Sequence, residues 1–228
     1  MSEALRIFPL GDSAITIEFG NDISVELNQR AIALANLIEE HPFPGFTEAV
    51  PAYASTTVFY DLTKVRRAFP DAPTAFLAVE KLIQAAAAAY TADDDPAQLS
   101  VVEIPVHFDE ASSPDLEYVA EQSRLSTKEV VELFTSRVYR VFMLGFLPGF
   151  TYMAEVDQLI ATPRRQSPRH SVPKGSIGIA GRQTGIYSLE SPGGWQIIGR
   201  TDADIFTPDA ERPALLNPGD RVRFYPAE

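Results

Sequence analysis

Gly175-Ser176-Ile177-Gly178-Ile179-Ala180-Gly181, followed by Arg182-Gln183-Thr184-Gly185-Ile186-Tyr187, decides how the second half of the chain is read. The glycines invite comparison with loops that cradle phosphate, but the spacing is neither that of a P-loop nor that of a dinucleotide fingerprint, and no Lys-Ser or Lys-Thr pair follows. Ile177 and Ile179 alternate with small residues, as in a strand with one buried face, and the glycines are read as allowing tight bending of a barrel strand. Residues 184–189, 195–199 and 222–225 are further short apolar runs between Gly- and Pro-rich turns. Upstream, residues 101–107 and 138–144 read as strands, Ser113-Pro114 as the start of a short helix, and Ser126 with Glu129 as the capping box of another. Short strands between frequent turns imply a closed or folded-over sheet, such as a barrel.

The first half has a different rhythm. Residues 6–10 and 14–19 alternate as two strands around Gly11-Asp12, with Ile15, Ile17 and Phe19 on one face. From Ser24, a suitable cap, Leu27, Ala31, Leu34 and Ile38 form a helical stripe that ends at His41-Pro42. Strands at 47–53 and 56–61 follow, and Pro73 opens a helix that turns Phe76, Val79 and Ile83 inward. The order ββαββα predicts a small two-layer α+β unit. The acidic run Asp93-Asp94-Asp95-Pro96 marks a linker near 91–98. The expected organisation is therefore an α+β, mainly β chain: an α+β domain over 1–92 and a β-barrel domain over 93–228.

Composition excludes several functions. With 31 Asp plus Glu against 19 Lys plus Arg, the 228-residue chain carries a formal charge of −12 and would repel nucleic acid and anionic membranes. It has no cysteine, which removes disulfides, thiolate metal sites and cysteine nucleophiles. A basic start leading into an apolar stretch is missing, and no apolar run approaches the roughly 20 residues of a membrane helix, so a cytoplasmic protein is expected.

Chemistry is concentrated after residue 145. Gly145-Phe146-Leu147-Pro148-Gly149-Phe150 and Ser191-Pro192-Gly193-Gly194-Trp195 each set a Pro-Gly pair beside aromatics, as in type II turns. Those aromatics either join the core or, with Pro148, let Phe146, Phe150 and Trp195 rim an apolar groove for a planar small ligand or a peptide proline. The basic island Pro163-Arg164-Arg165-Gln166-Ser167-Pro168-Arg169-His170 is either a solvated loop or an anion site, since guanidinium forks grip carboxylate and phosphate bidentately. Arg164 and Arg169 are the preferred pair. Alternation along residues 195–201 puts Gln196, Ile198 and Arg200 on one side, which makes Arg200 a third anion contact. Gln183 and Tyr187 are either structural or positioned to orient an amide. Arg169, Gln183 and Arg200 are the catalytic candidates. His41, His107 and His170 fit no metal spacing, and no Gly-x-Ser-x-Gly elbow or Ser/His/Asp set is evident, so the chain alone shows no complete catalytic apparatus.

The two Pro-Gly segments, Ser171-Val172-Pro173-Lys174 with the glycine-rich strand after it, and Gln183-Thr184-Gly185-Ile186-Tyr187 together resemble the B subunits of 5-oxoprolinases, a family also labelled allophanate hydrolase subunit 1. The resemblance extends to Ile198-Gly199-Arg200-Thr201, Leu216-Asn217-Pro218-Gly219-Asp220, Gly11-Asp12-Ser13-Ala14 and Val50-Pro51-Ala52-Tyr53, and so covers nearly the whole chain. It implies a cyclophilin-like barrel and work in a complex. The implied partners are a second cyclophilin-like protein, of the type found as the C subunit of 5-oxoprolinase or as allophanate hydrolase subunit 2, and a lactam-utilisation-type subunit. Together they would open 5-oxo-L-proline to L-glutamate with ATP, while this chain alone would be inactive. Arg164, Arg169, Gln183 and Arg200 would then hold carboxylate, phosphate or amide. The family also includes an inhibitor of a sporulation histidine kinase, and it is similar to half of the carboxyltransferase module of urea carboxylase. The resemblance therefore leaves two alternatives: inhibition of a sensor kinase through the barrel groove, and carboxyl transfer to a urea-like amide with a biotin-bearing partner. One departure stands out, since His107-Phe108-Asp109-Glu110-Ala111-Ser112-Ser113 occupies a place where the family often has a glycine-rich stretch.

Overall fold

The computed structural model describes residues 5–89 and 101–227. Two compact units divide at Ala97/Gln98, and the expected linker at 91–98 lies outside the described residues.

In the first unit, β1 (Arg6–Pro9), β2 (Ala14–Glu18), β3 (Phe46–Pro51) and β4 (Ser55–Tyr60) form an antiparallel sheet in the order β1-β2-β4-β3. Ile15, Ile17 and Val58 form a core with Ala31, Leu34 and Ile38 of α1 (Val25–Glu40). Ser24 caps α1 by accepting from the Leu27 N–H, and the Thr56 hydroxyl ties the helix to the sheet by donating to the Ala31 carbonyl over 2.7 Å. The order differs from ββαββα, because α2 (Leu62–Ala68) precedes α3 (Ala75–Ala89). Asp61 caps α2 through the Lys64 N–H, yet this helix buries only Val65, and one buried residue in seven is too little to mark a face. Thr74, rather than Pro73, accepts the Leu77 N–H at the start of α3, and Phe76 is only partly buried while Val79 and Ile83 lie fully inside.

In the second unit, α4 (Leu116–Ser123) and α5 (Thr127–Thr135) follow β5 (Val101–Val106). Next come β6 (Val138–Leu144), β7 (Thr151–Ala154), β8 (Arg169–Val172), β9 (Ser176–Ala180), β10 (Gln183–Ile186), β11 (Ser191–Gly193), β12 (Gln196–Arg200) and β13 (Arg221–Pro226). Seven of these strands form one sheet in the order β12-β9-β10-β7-β6-β13-β5. Its two edges meet where His107 and Arg200 exchange backbone hydrogen bonds of 2.8 and 3.0 Å, so the sheet is nearly a closed barrel. All seven strands contribute to the inner core, among them Ile177, Ile179, Ile186, Ile198, Met153, Val141 and Phe224. Phe134 of α5 stacks on Phe224 at 5.1 Å between ring centroids, and the Tyr139 hydroxyl donates to its carbonyl.

The capping box of α5 is complete: Ser126 Oγ accepts from the Glu129 N–H, and the Glu129 carboxylate accepts from the Ser126 N–H. Hydrogen bonds from Ser126 hold the Glu129 carboxyl below its usual range. A depressed folded-state pKa contributes stability above the ordinary carboxylate value, and this is lost as pH falls through the folded one. Ser126→Ala is expected to cost about 1 kcal/mol. A urea melt checks it, and an unchanged midpoint would mean that packing alone holds α5.

Candidate functional site

The outer face of the barrel carries a second apolar cluster, built on Phe150, Val172, Tyr187, Trp195 and Ile197. Gly178 and Gly185 stand opposite each other on β9 and β10 and explain how Trp195 reaches the sheet. A Cβ on Gly178 would lie 2.8 Å from the Trp195 Cβ, and one on Gly185 would lie 2.4 Å from the Thr151 carbonyl and 3.1 Å from the indole. These two glycines thus serve close packing against the aromatic cluster. Trp195 meets Phe150 edge-on at 5.5 Å, and Phe150 meets Tyr187 edge-on at 5.1 Å. Gly193 leaves room for the Tyr187 hydroxyl, which accepts from the Trp195 N–H. Burial pushes the Tyr187 phenol up, while that hydrogen bond, Arg164 and Arg169 oppose the rise.

The basic island lies against this platform. The Arg164 guanidinium sits 5.7 Å over the Trp195 ring, within cation–π range. Arg165 donates its backbone N–H to Gly194, and Gln196 donates its side-chain amide to Pro163. Arg169 belongs to β8, paired with Gly193 of β11. Both Arg165 Nη1 and Arg169 Nη2 donate to Asp115 Oδ1, at 2.9 and 2.7 Å. Asp115 is buried, and its Oδ2 accepts the Ile197 N–H at 2.6 Å. Arg169 Nη1 and Gln196 Oε1 are buried with no hydrogen-bond partner among the described residues. Three guanidiniums against one carboxylate leave a positive excess in a chain of net charge −12, an arrangement suited to holding an anion.

The structure gathers Phe146, Phe150, Tyr187, Trp195, Arg164 and Arg169 into one region. Phe146 is its exposed rim, at 61% exposure and a positive φ of 67°, edge-on to Phe150 and Tyr187. Phe150 and Trp195, expected at a rim, lie beneath the surface at 1% and 4% exposure. Pro148 is exposed in a turn closed by the Phe150 N–H on the Leu147 carbonyl, with Gly149 at φ 74°, as type II chemistry requires. The second Pro-Gly pair forms no such turn: Ser191–Gly193 is strand β11, and Gly193 has no positive φ. Gln183 begins β10, roughly 13 Å along the chain from Tyr187 and on the same face by strand parity. Arg200 stands apart, at the exposed end of β12 where the barrel closes, beside the His107–Asp202 contact of 3.1 Å. Asp115 was not legible as a site residue, because an aspartate opening a helix reads as a cap and its arginines lie 50 and 54 positions away. The departing segment before it is closed by Asp109, whose carboxylate accepts the Ala111 and Ser112 N–H groups. Among the described residues, no group of His, Asp and Glu could hold a metal ion, and no helix is long and apolar enough to cross a membrane.

A family model described as the carboxyltransferase domain, subdomain C and D, matches residues 5–216. The B subunit of the 5-oxoprolinase of Bacillus subtilis (strain 168) is 44% identical over 225 residues, which cover 98% of this chain and 93% of the relative. The chain belongs to the family of 5-oxoprolinase B subunits. A crystal structure of TTHA0988 matches with a TM-score of 0.80 at 38% identity, over 99% of this chain and 41% of that one, so this chain spans about two fifths of that protein. The urea carboxylase of Kluyveromyces lactis matches with a TM-score of 0.76 at 21% identity, over 98% of this chain and 22% of that one, a likeness of fold alone.

Proposed function

We propose that the chain is a subunit of an ATP-dependent 5-oxoprolinase that opens 5-oxo-L-proline to L-glutamate, and that its outer-face arginines hold a carboxylate or phosphate group during that reaction. The full-length similarity to a protein named as the B subunit of a 5-oxoprolinase carries the reading. In it, ATP phosphorylates the lactam oxygen and ADP leaves, water adds at the activated carbon, and the ring C–N bond opens to give an amine and an acyl phosphate. A second water hydrolyses that acyl phosphate to carboxylate and inorganic phosphate. Donors aimed at the developing charge are what this chain can supply, and losing one typically costs about 10²–10³ in rate. Guanidiniums, an indole and a phenol bind and orient; a base and a water path would come from cyclophilin-like and lactam-utilisation-type partner subunits in a cytoplasmic complex. Support for shared work comes from the two solved structures, where the matching part is a minority of a longer chain. The same proposal takes 1–92 and 93–228 as independently folding domains, the second cyclophilin-like.

The purified chain is expected to release no glutamate from 5-oxoproline and ATP, and mixing it with its partner subunits is expected to start release. An inactive complete set would refute the assignment. The carboxyltransferase description of the family supports a second reading, carboxyl transfer to a urea-like amide. Turnover that needs bicarbonate and a biotin-bearing partner would select it.

A further inference from the structure

Asp115 lies where a helix-opening aspartate ordinarily accepts N–H groups of the first turn. It makes no such bond to α4. Its Oδ2 takes the Ile197 N–H at 2.6 Å, its own N–H donates to the Ile197 carbonyl at 2.9 Å, and its Oδ1 takes both guanidiniums. The carboxylate is thus clamped to β12 by side chain and backbone together, and turned away from its helix toward Arg165 and Arg169. Both arginines are fixed at their backbones to the corner around Gly193 and Gly194. A free arginine has many rotamers to lose on binding; one whose head and backbone are both held has lost most of that freedom before any ligand arrives.

From this we infer that Asp115 is the positioning residue of the anion site, setting the Arg165–Arg169 pair beside Arg164 so that a carboxylate or phosphate meets a preset arrangement of donors. This rests on reading the arginine cluster as an anion site. One carboxylate shared by two guanidiniums orients both while leaving one positive charge uncompensated, and Arg164 adds another. A residue that merely stapled the 163–169 segment to the barrel would contribute to stability without setting anion affinity.

Trp195 is the sole tryptophan of the chain and lies under Arg164, so its fluorescence reports on the site directly. The wild-type full-length chain, titrated with 5-oxoproline and with inorganic phosphate, is expected to show a saturable change with at least one of them. Asp115→Asn keeps the shape and removes the charge. It is expected to weaken that binding about tenfold or more and to raise KM in the reconstituted enzyme by a similar factor, with kcat within about twofold. A folded Asp115→Asn chain that binds as tightly as wild type would overturn the positioning role and leave the anion site standing. A wild-type chain with no response to either ligand, and unaltered kinetics in Arg169→Ala enzyme, would overturn the anion site itself. Should Asp115→Asn not fold, the triple variant Asp115→Ala/Arg165→Ala/Arg169→Ala is compared with the double Arg165→Ala/Arg169→Ala, because removing a whole ion cluster is tolerated better than removing half of one. Equal anion affinity in the two supports action through the arginines. Weaker binding by the triple variant would show that Asp115 acts otherwise, and would sink the inference.

Discussion

Gly185→Ala is expected to destabilise the second unit by about 3 kcal/mol, at the upper end of what overpacking typically costs. The new methyl carbon would lie 2.4 Å from the Thr151 carbonyl oxygen, 3.0 Å from Phe150 Cζ and 3.1 Å from the Trp195 ring. The aromatics can move, but Thr151 belongs to β7, hydrogen-bonded directly to β10, so its carbonyl can withdraw only by opening the ladder. A lower urea midpoint and a red-shifted Trp195 emission should therefore appear together. Gly181→Ala is the control: nothing lies within 4 Å of its added carbon, and only its φ of +61° opposes the change, at about 1 kcal/mol. Equal midpoints for the two variants would mean that the platform under Trp195 is loosely built.

Gly185 also shows where sequence reading succeeded and where it stopped. Strand alternation located β9 and β10 because Ile177, Ile179 and Ile186 face one continuous core, and that signal is local. The reason for Gly178 and Gly185 is not local, since it lies in an indole delivered by a later segment. The same division explains the strands that escaped notice. β8 and β11 hold four and three residues and pair only with each other, so neither has enough length to show a period, and Arg169 and Gly193 look like loop and turn. β7 follows the Pro148-Gly149 turn directly and is equally short. Of the site, the residue types were legible: arginines in an acidic chain and aromatics beside Pro-Gly pairs. Their assembly was legible only in part, because convergence of Arg164 and Arg169 on Trp195 and Asp115 depends on pairings as far apart as 54 residues. Arg200 illustrates the limit: alternation puts it on the side of Ile198, which lies in the core, but the register of β12 shifts between Ile197 and Gly199 and leaves Arg200 exposed, a break that no local period reveals.

Arg169→Ala is expected to raise KM for the anionic substrate or nucleotide about 100-fold in the reconstituted enzyme, equivalent to about 3 kcal/mol, with a smaller effect on kcat. Truncating one member of a largely desolvated charge pair costs about 2–5 kcal/mol, partly because the other charge is left unbalanced. Arg169 is such a member: its side chain is 24% exposed and its partner Asp115 only 5%. Arg169→Lys should recover little, because an ammonium cannot bind Asp115 and a ligand oxygen with the same planar fork. Arg164→Ala should show a milder loss, since its group is exposed over Trp195 and makes no ion pair among the described residues. Arg200→Ala should leave both constants within about twofold, as its barrel-closing bonds with His107 come from the backbone and survive truncation. The order Arg169, Arg164, Arg200 is what distinguishes a built anion site from a general electrostatic effect. Three equal losses that vanish together at high salt would indicate nothing more than a basic surface. A graded series, with the Arg169 loss persisting in salt, requires a partly buried arginine already held in place before the ligand arrives.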